Sequence, residues 1–331
     1  MIDLHLHLDG SLTPADILRL AELSGISLPQ QTEDTLRPLL EVTPGCRNLG
    51  EYLEKFDLPL QVLQRSQTIS LSVYFLLRRL KADGLCYAEI RFAPQLHQTR
   101  GLSQEQVVSA AVVGLNKGIA EFGMPAQLIL CCMRGDNNRD ANMETVRVAK
   151  AFLRKGVCAL DLAGNEHAYP TEAFADIFAY AKELAVPFII HAGEASGPES
   201  VWQALRLDAK RIGHGVRSIE DPGLVKKLAQ LQTPLEMCFT SNLQTKAANE
   251  QDYPLCDYLQ QGICVTINTD NMTVSGTDLR TEYRLLQKQF GLSADTLEKL
   301  CCNAADSAFL TEEQADALKA QISRNFAQWL S

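Results

Sequence analysis

The chain has 331 residues, 46% of them hydrophobic, and its 31 Lys and Arg against 40 Asp and Glu leave a net charge of −9. That apolar content supplies one large core, and the length suits one α/β domain over residues 1–331 better than a string of small modules. The acidic balance, without any Lys/Arg cluster, excludes a protein that grips a polyphosphate backbone, so nucleic acid is not an expected partner.

Taken in chain order, Met1 is followed at once by Ile-Asp-Leu-His-Leu-His, with no basic segment and no apolar signal core. Nowhere do 18 apolar residues run together, so a soluble cytoplasmic protein without a membrane partner is expected. Eight short apolar runs have strand length: Ile2–Leu6, Cys86–Phe92, Ala126–Met133, Cys158–Ala163, Pro187–His191, Arg211–Val216, Pro234–Phe239 and Cys264–Asn268. The cysteines within them (Cys86, Cys131, Cys132, Cys158, Cys238, Cys264) form no Cys-x-x-Cys pair and read as buried free thiols of a reducing compartment. Between the first two runs, Thr13 to Leu85 is far longer than an ordinary βα connection. The spacing of Leu49, Tyr52, Leu53, Phe56, Leu58, Leu60, Val62 and Leu63 predicts helices after Pro44-Gly45. Residues 13–85 are therefore expected to form a helical insertion, either a lid over the site or packing for the outer helices.

Thr171–Leu184, Pro198–Leu207 and Pro222–Leu231 are amphipathic at helical spacing, with Pro at an early position in the last two. This is the βαβ alternation, and eight units favour a closed (β/α)8 TIM barrel, which leaves no sheet edge. Ser293–Ser331, rich in Ala, Leu and Glu, is expected to add C-terminal helices that close the barrel. His5, His7, Glu89, Arg91, Arg134, Gly164, His191, Glu194, His214, Ser241, Asn242 and Asp270 all fall at or just past a predicted strand's carboxyl end. In a barrel those ends converge on the rim that carries active sites.

A lone His in an apolar strand is more often a satisfied core residue than a ligand. His5 and His7, however, stand at i and i+2 and share one face of their strand. Two imidazoles side by side toward a barrel interior are costly to bury without a cation or partners. With His191 from the fifth strand and Asp270 from the eighth, three imidazoles and one carboxylate converge on a divalent ion. The set suits zinc and also tolerates iron, cobalt or nickel. A water acidified by the metal would serve as nucleophile. Glu194 is placed as general acid, His214 between Gly213 and Gly215 would orient or deprotonate the water, and Asp270 would also accept a hydrogen bond from it.

Six strings occur in fixed order along almost the whole chain: His5-Leu-His-Leu-Asp-Gly-Ser11, Asp161-Leu-Ala-Gly-Asn-Glu166, His191-Ala-Gly-Glu194, Arg211-Ile-Gly-His-Gly215, Thr240-Ser-Asn-Leu-Gln-Thr245 and Asn268-Thr-Asp270. Together they resemble the successive signatures of the adenosine deaminase family. The resemblance implies a mononuclear zinc (β/α)8 hydrolase that replaces the 6-amino group of adenosine or deoxyadenosine with oxygen, giving the inosine product and ammonia. It further implies that His5, His7, His191 and Asp270 hold one Zn2+ per chain, that Glu194 protonates purine N1, and that His214 acts on the attacking water. His7 would also border the substrate, Gly164 would present backbone to the purine, and Asp9 would hold a ribose hydroxyl. The Ser241-Asn242 segment would lie at the pocket rim.

One departure is informative. The family usually has Asp-Asp-Pro where this chain has Asp270-Asn271-Met272. An Asn NH2 donates to the N7 acceptor without needing a proton, so Asn271 is expected to bind N7 directly; the alternative is a turn-favouring Asn after a strand. Rival substrates are free adenine and 5′-modified adenosines such as methylthioadenosine. A two-metal amidohydrolase is disfavoured because Cys158–Gly164 offers no Lys to bridge two metals. A nucleoside-binding protein without catalysis would be expected to have dropped a ligand, Glu194 or His214. The partner is a small purine nucleoside, and a monomer is the expected state.

Overall fold

The computed structural model describes residues Met1–Ser331. Its eight strands are β1 (Ile2–His7), β2 (Tyr87–Phe92), β3 (Ala126–Met133), β4 (Val157–Ala163), β5 (Ile190–Ala192), β6 (Ile212–His214), β7 (Leu235–Met237) and β8 (Val265–Ile267). They pair in parallel as two four-stranded sheets, in the orders β1-β2-β3-β4 and β5-β6-β7-β8. Single bridges join the sheets at both seams: Leu160 with Phe188, and Leu6 with Asp270. At the second seam, the His7 N–H donates to the Asp270 carbonyl (2.7 Å) and the Asp270 N–H to the His5 carbonyl (2.8 Å). The chain is thus a (β/α)8 barrel, and its first and last strands meet where the histidine pair sits.

All eight expected strands form, but β5 to β8 are shorter than their apolar runs. Pro187 and Pro234 open two of those runs and have no N–H for a ladder, so pairing starts later. Cys264, at the edge of the eighth run, is partly exposed rather than buried; the ten cysteines are free thiols and seven are buried.

The segment between β1 and β2 divides in two. Ser66–Ala82 is an outer-layer helix packed on Gln104–Phe122, the helix that joins β2 to β3. Contact there is so close that a Cβ on Gly114 would lie 1.9 Å from the Ser70 carbonyl oxygen. The earlier helices, Pro14–Ser24, Glu33–Leu40, Leu49–Leu53 and Asp57–Val62, lie before it. Only residues within Leu49–Leu60 reach the cavity described below, so the expected covering role narrows from residues 13–85 to that stretch. Pro14 sits in the first turn of its helix behind a Thr13–Asp16 capping box, and Gly25 ends that helix in the left-handed region.

At the far end, Ala294–Ser307 packs on β1 and β8, and Glu312–Leu330 packs on it in turn. One cluster of 80 buried apolar residues runs through the barrel and its helices. No helix is long and apolar enough to cross a membrane. Glu89 departs from its expected place at a strand's carboxyl end. It is the third residue of β2, fully buried, and its carboxylate accepts from Arg211 (2.6 Å) and from the Phe309 N–H (2.7 Å). Arg91, the fifth of the six residues of β2, does lie near that end, and its guanidinium is ion-paired with Asp161 and Glu236.

Candidate active site

His5 and His7 both point into the barrel from β1, His191 is the middle residue of β5, and Asp270 follows β8. Their ligand-capable atoms lie within 4.8 Å of one another. His7 Nε2 is 3.3 Å from His191 Nε2, and Asp270 Oδ1 is 3.4 Å from His5 Nε2 and 3.5 Å from His7 Nε2. The orientation of two rings is set from behind. His5 Nδ1 lies 2.8 Å from Glu236 Oε2, and His191 Nδ1 lies 2.9 Å from Asp161 Oδ2. An ionised carboxylate only accepts, so each Nδ1 carries the proton and each Nε2 turns its lone pair inward. His5 Nε2 is buried with no hydrogen-bond partner. Converging lone pairs, an orphaned ring nitrogen and one carboxylate make a donor set that fits a divalent cation of borderline softness. Burial holds the His7 and His191 imidazoles below their ordinary pKa, which keeps them neutral, as ligands must be.

The backbone is specialised here. Gly213 is needed because a Cβ would sit 3.1 Å from Cε1 of His5 and 3.1 Å from Cα of His191. His214 (φ 63°) and Asp270 (φ 60°) adopt the left-handed region although neither is glycine. Such residues cost on the order of 1–3 kcal/mol and persist where surrounding structure holds them. Both occur where a strand ends and a side chain must face the site.

Glu194 follows β5 on a loop wrapped around Glu166, whose carboxylate accepts the N–H groups of Gly193, Glu194, Ala195 and Ser196 at 2.7–3.0 Å. The Glu194 carboxyl accepts from Thr245 Oγ1 (3.0 Å) and lies 3.5 Å from His214 Nε2. Burial, then the nearby Asp270 and Glu166 charges, push its pKa up to about 8. Asn242 lies with Nδ2 3.0 Å from His214 Nδ1, while its Oδ1 accepts from the Tyr253 hydroxyl (3.2 Å). An amide nitrogen only donates, so His214 accepts at Nδ1 and presents Nε2–H to the site. Ser241 donates to Asp270 Oδ2 at 2.6 Å. These two contacts give Ser241-Asn242 the place that sequence reasoning left open.

A partly covered cavity stands over these groups. Its floor holds His7, Asp9, His191, Glu194, His214, Asp270 and Asn271, and Gly164 lies on the wall beside Ala163, Cys131 and Met133. Leu49, Tyr52, Leu53, Phe56 and Leu60 cover it, and the Tyr52 hydroxyl is 2.7 Å from Ser275 Oγ on the loop after β8. No Lys or Arg lines it. Burial pushes Asp9 up to about 6, and its Oδ1 has no partner. Asn271 packs Oδ1 against Gly10, where a Cβ would come within 1.9 Å of it. Every residue singled out as ligand, acid or substrate contact therefore lies in one place. Asp161, Glu166 and Glu236, which hold those residues, carried no assigned role; the available signal was an acid inside an otherwise apolar strand, as in Leu235-Glu-Met237.

A parallel barrel with three imidazoles, a carboxylate and a buried acid converging at its carboxyl end is the architecture of metal-dependent hydrolases. Two solved structures share the fold. One is an adenine deaminase from Arthrobacter aurescens (TM-score 0.89, 29% identity, 98% of each chain covered), and the other an amidohydrolase from Burkholderia ambifaria with bound Zn (TM-score 0.87, 20% identity, 99% of this chain and 90% of that one). Residues 1–325 match the adenosine deaminase family, and the chain belongs to it. An adenosine deaminase of Haemophilus ducreyi is 50% identical over 333 residues, covering 99% of this chain and 97% of that protein.

Proposed function

We propose that this chain is an adenosine deaminase: a C–N hydrolase that converts adenosine and deoxyadenosine, with water, to the inosine product and ammonia, in cytoplasmic purine salvage. The observation that carries the reading is the convergence of His5, His7, His191 and Asp270, with all but the buried His5 on the floor of one covered cavity beside Glu194 and His214. Zinc, one per chain, is the cation this donor set suits best, and when bound it supplies a water acidified toward neutrality.

The chain's own residues do the rest. Glu194, with its pKa raised to about 8, holds a proton at neutral pH and delivers it to N1 as oxygen adds to C6. His214 directs Nε2–H at the attacking water, and Asp270 accepts from it. The Gly164 backbone faces the purine, and the Asn271 amide donates to N7. Asp9, unpartnered at Oδ1, takes a ribose hydroxyl. Asp270 passes the water's proton to the amino group, the new C6 hydroxyl returns a proton to Glu194, and the C6–N6 bond breaks to release ammonia. Residues 49–60 act as a lid that excludes bulk water, and the enzyme works as a monomer.

Asp9 and the absence of a Lys or Arg in the lining support a nucleoside substrate. The lining carries Asp9 and Asp57 and no Lys or Arg to pair with a 5′-phosphate, so nucleosides are expected to be taken in preference to nucleotides. Side-by-side kinetics on adenosine, deoxyadenosine, adenine, methylthioadenosine and AMP test this. Adenosine and deoxyadenosine are expected to lead and AMP to fail. Preference for free adenine, the substrate named for the Arthrobacter aurescens relative, would replace the reading. Elemental analysis should find one equivalent of zinc.

A further inference from the structure

Five charged side chains form one continuous chain inside the barrel, each at most 1% exposed: Glu89, Arg211, Glu236, Arg91 and Asp161. Arg211 donates to Glu89 (2.6 Å) and to Glu236 (2.5 Å), and Arg91 donates to Glu236 (2.9 Å) and to Asp161 (2.7 Å). Arg91 Nη2 also donates to the Leu4 carbonyl (2.6 Å), one residue before His5. The outer end is tied to the C-terminal region: Arg211 donates to the Ser307 carbonyl (2.8 Å), and the Phe309 N–H donates to Glu89.

Burying three carboxylates and two guanidiniums costs several kcal/mol per ion before pairing offsets it, and an apolar filling would serve stability as well or better. The arrangement therefore calls for a use beyond stability, and its ends differ in what they touch. Glu236 holds His5 Nδ1 and Asp161 holds His191 Nδ1, whereas Glu89 reaches no imidazole. Arg91 is the single group that joins the two imidazole-holding carboxylates, and its planar fork fixes their separation across the barrel.

We propose that Arg91 is a positioning residue for the metal site: by clamping Glu236 and Asp161 together it sets the tautomer and aim of His5 and His191 at once, so the two rings are preorganised before a cation arrives. The idea rests on the metal reading above. The expected consequence is tighter metal binding, since carboxylates behind ligating imidazoles contribute about 10–100-fold in affinity.

The test is zinc affinity of metal-stripped protein, by competition with a chromophoric chelator, for wild type, Arg91→Lys, Glu236→Gln, Asp161→Asn and Glu89→Gln, with thermal unfolding of each stripped protein alongside. Lysine keeps the charge but cannot fork, so Arg91→Lys is expected to weaken zinc binding about 10–100-fold, as Glu236→Gln and Asp161→Asn also do. Glu89→Gln, equally buried in the same chain of charges, is expected to lower the unfolding temperature and leave zinc affinity within about twofold of wild type. Equal loss of zinc affinity in Glu89→Gln and Arg91→Lys would overturn the proposal, because the network would then act only through stability. Unchanged affinity in Arg91→Lys would overturn it too. Should Arg91→Lys not fold, Arg91→Gln, whose single amide cannot bridge Glu236 and Asp161, takes its place against Glu89→Gln with the same expected and overturning results. Stripped wild-type protein that takes up no zinc would instead overturn the metal reading itself.

Discussion

The two halves of the barrel are built differently. Strands β1 to β4 run for 6, 6, 8 and 7 residues, whereas β5 to β8 pair for only three residues each. The first half has the longer ladders, interrupted only by register shifts between Asp3 and Leu6 and between Leu128 and Ile129. In the second half the chain leaves the ladder early, and His214 and Asp270 turn into the left-handed region as it does so. The lesson is a division of labour: long ladders hold the shape, and short strands free backbone to aim side chains. The histidine cluster draws on both halves, with His5 and His7 from β1, His191 from β5 and Asp270 from the turn after β8.

Substitutions in the two halves should separate these jobs. His7→Ala is expected to cause the largest loss, releasing the metal and abolishing turnover; retention of a full equivalent in elemental analysis would remove His7 from the ligand set. Glu194→Gln should keep the metal while kcat falls on the order of 100 to 10,000-fold. A kcat near wild type would reassign the acid. Leu130→Ala, in the fully buried middle of β3, should cost about 2–5 kcal/mol in denaturant unfolding with kcat per folded molecule unchanged. An altered kcat there would blur the division between scaffold and site.

Glu282 tests the second half by pH. It accepts from the Thr240 N–H (3.1 Å) and the Thr277 hydroxyl (2.6 Å), anchoring the helix that carries Ser241 and Asn242, and burial raises its pKa to about 7. A folded-state pKa above the unfolded one means that its contribution is full below the unfolded value and is lost as pH rises through about 7. Glu282→Gln should therefore gain stability relative to wild type between pH 5 and 8, by up to about 3 kcal/mol. A constant difference across that range would contradict the assignment. The smallest effect is expected for Asn271→Ala, where one neutral hydrogen bond is worth about 1 kcal/mol, on the order of fivefold in KM. If KM and kcat for adenosine both stayed unchanged, Asn271 would not contact N7.

Much of this was legible in the residues. Eight apolar runs became eight strands because a segment buried on both faces must be apolar along its length. His5, His7, His191, Glu194, His214 and Asp270 stood out because imidazoles and acids are conspicuous at strand ends. Strand lengths in the second half were not legible, since pairing depends on where the neighbouring strand still runs alongside. Glu89 sits a layer below the rim because two residues along a strand, on one face, separate successive layers of the barrel interior, and the apolar run alone does not mark where the strand ends.

Chemistry of side chains and their order along the chain were determined by the sequence alone: which groups can hold a cation, which can carry a proton, and that parallel strands must bring their carboxyl ends together. Only the tertiary structure decided which acid stands behind which imidazole. Asp161 and Glu236 differ from any other buried carboxylate only through the rings and guanidiniums that face them. Those neighbours lie between 25 and 231 residues away in sequence. Closure of the barrel puts them within hydrogen-bond reach, and no local pattern encodes that distance.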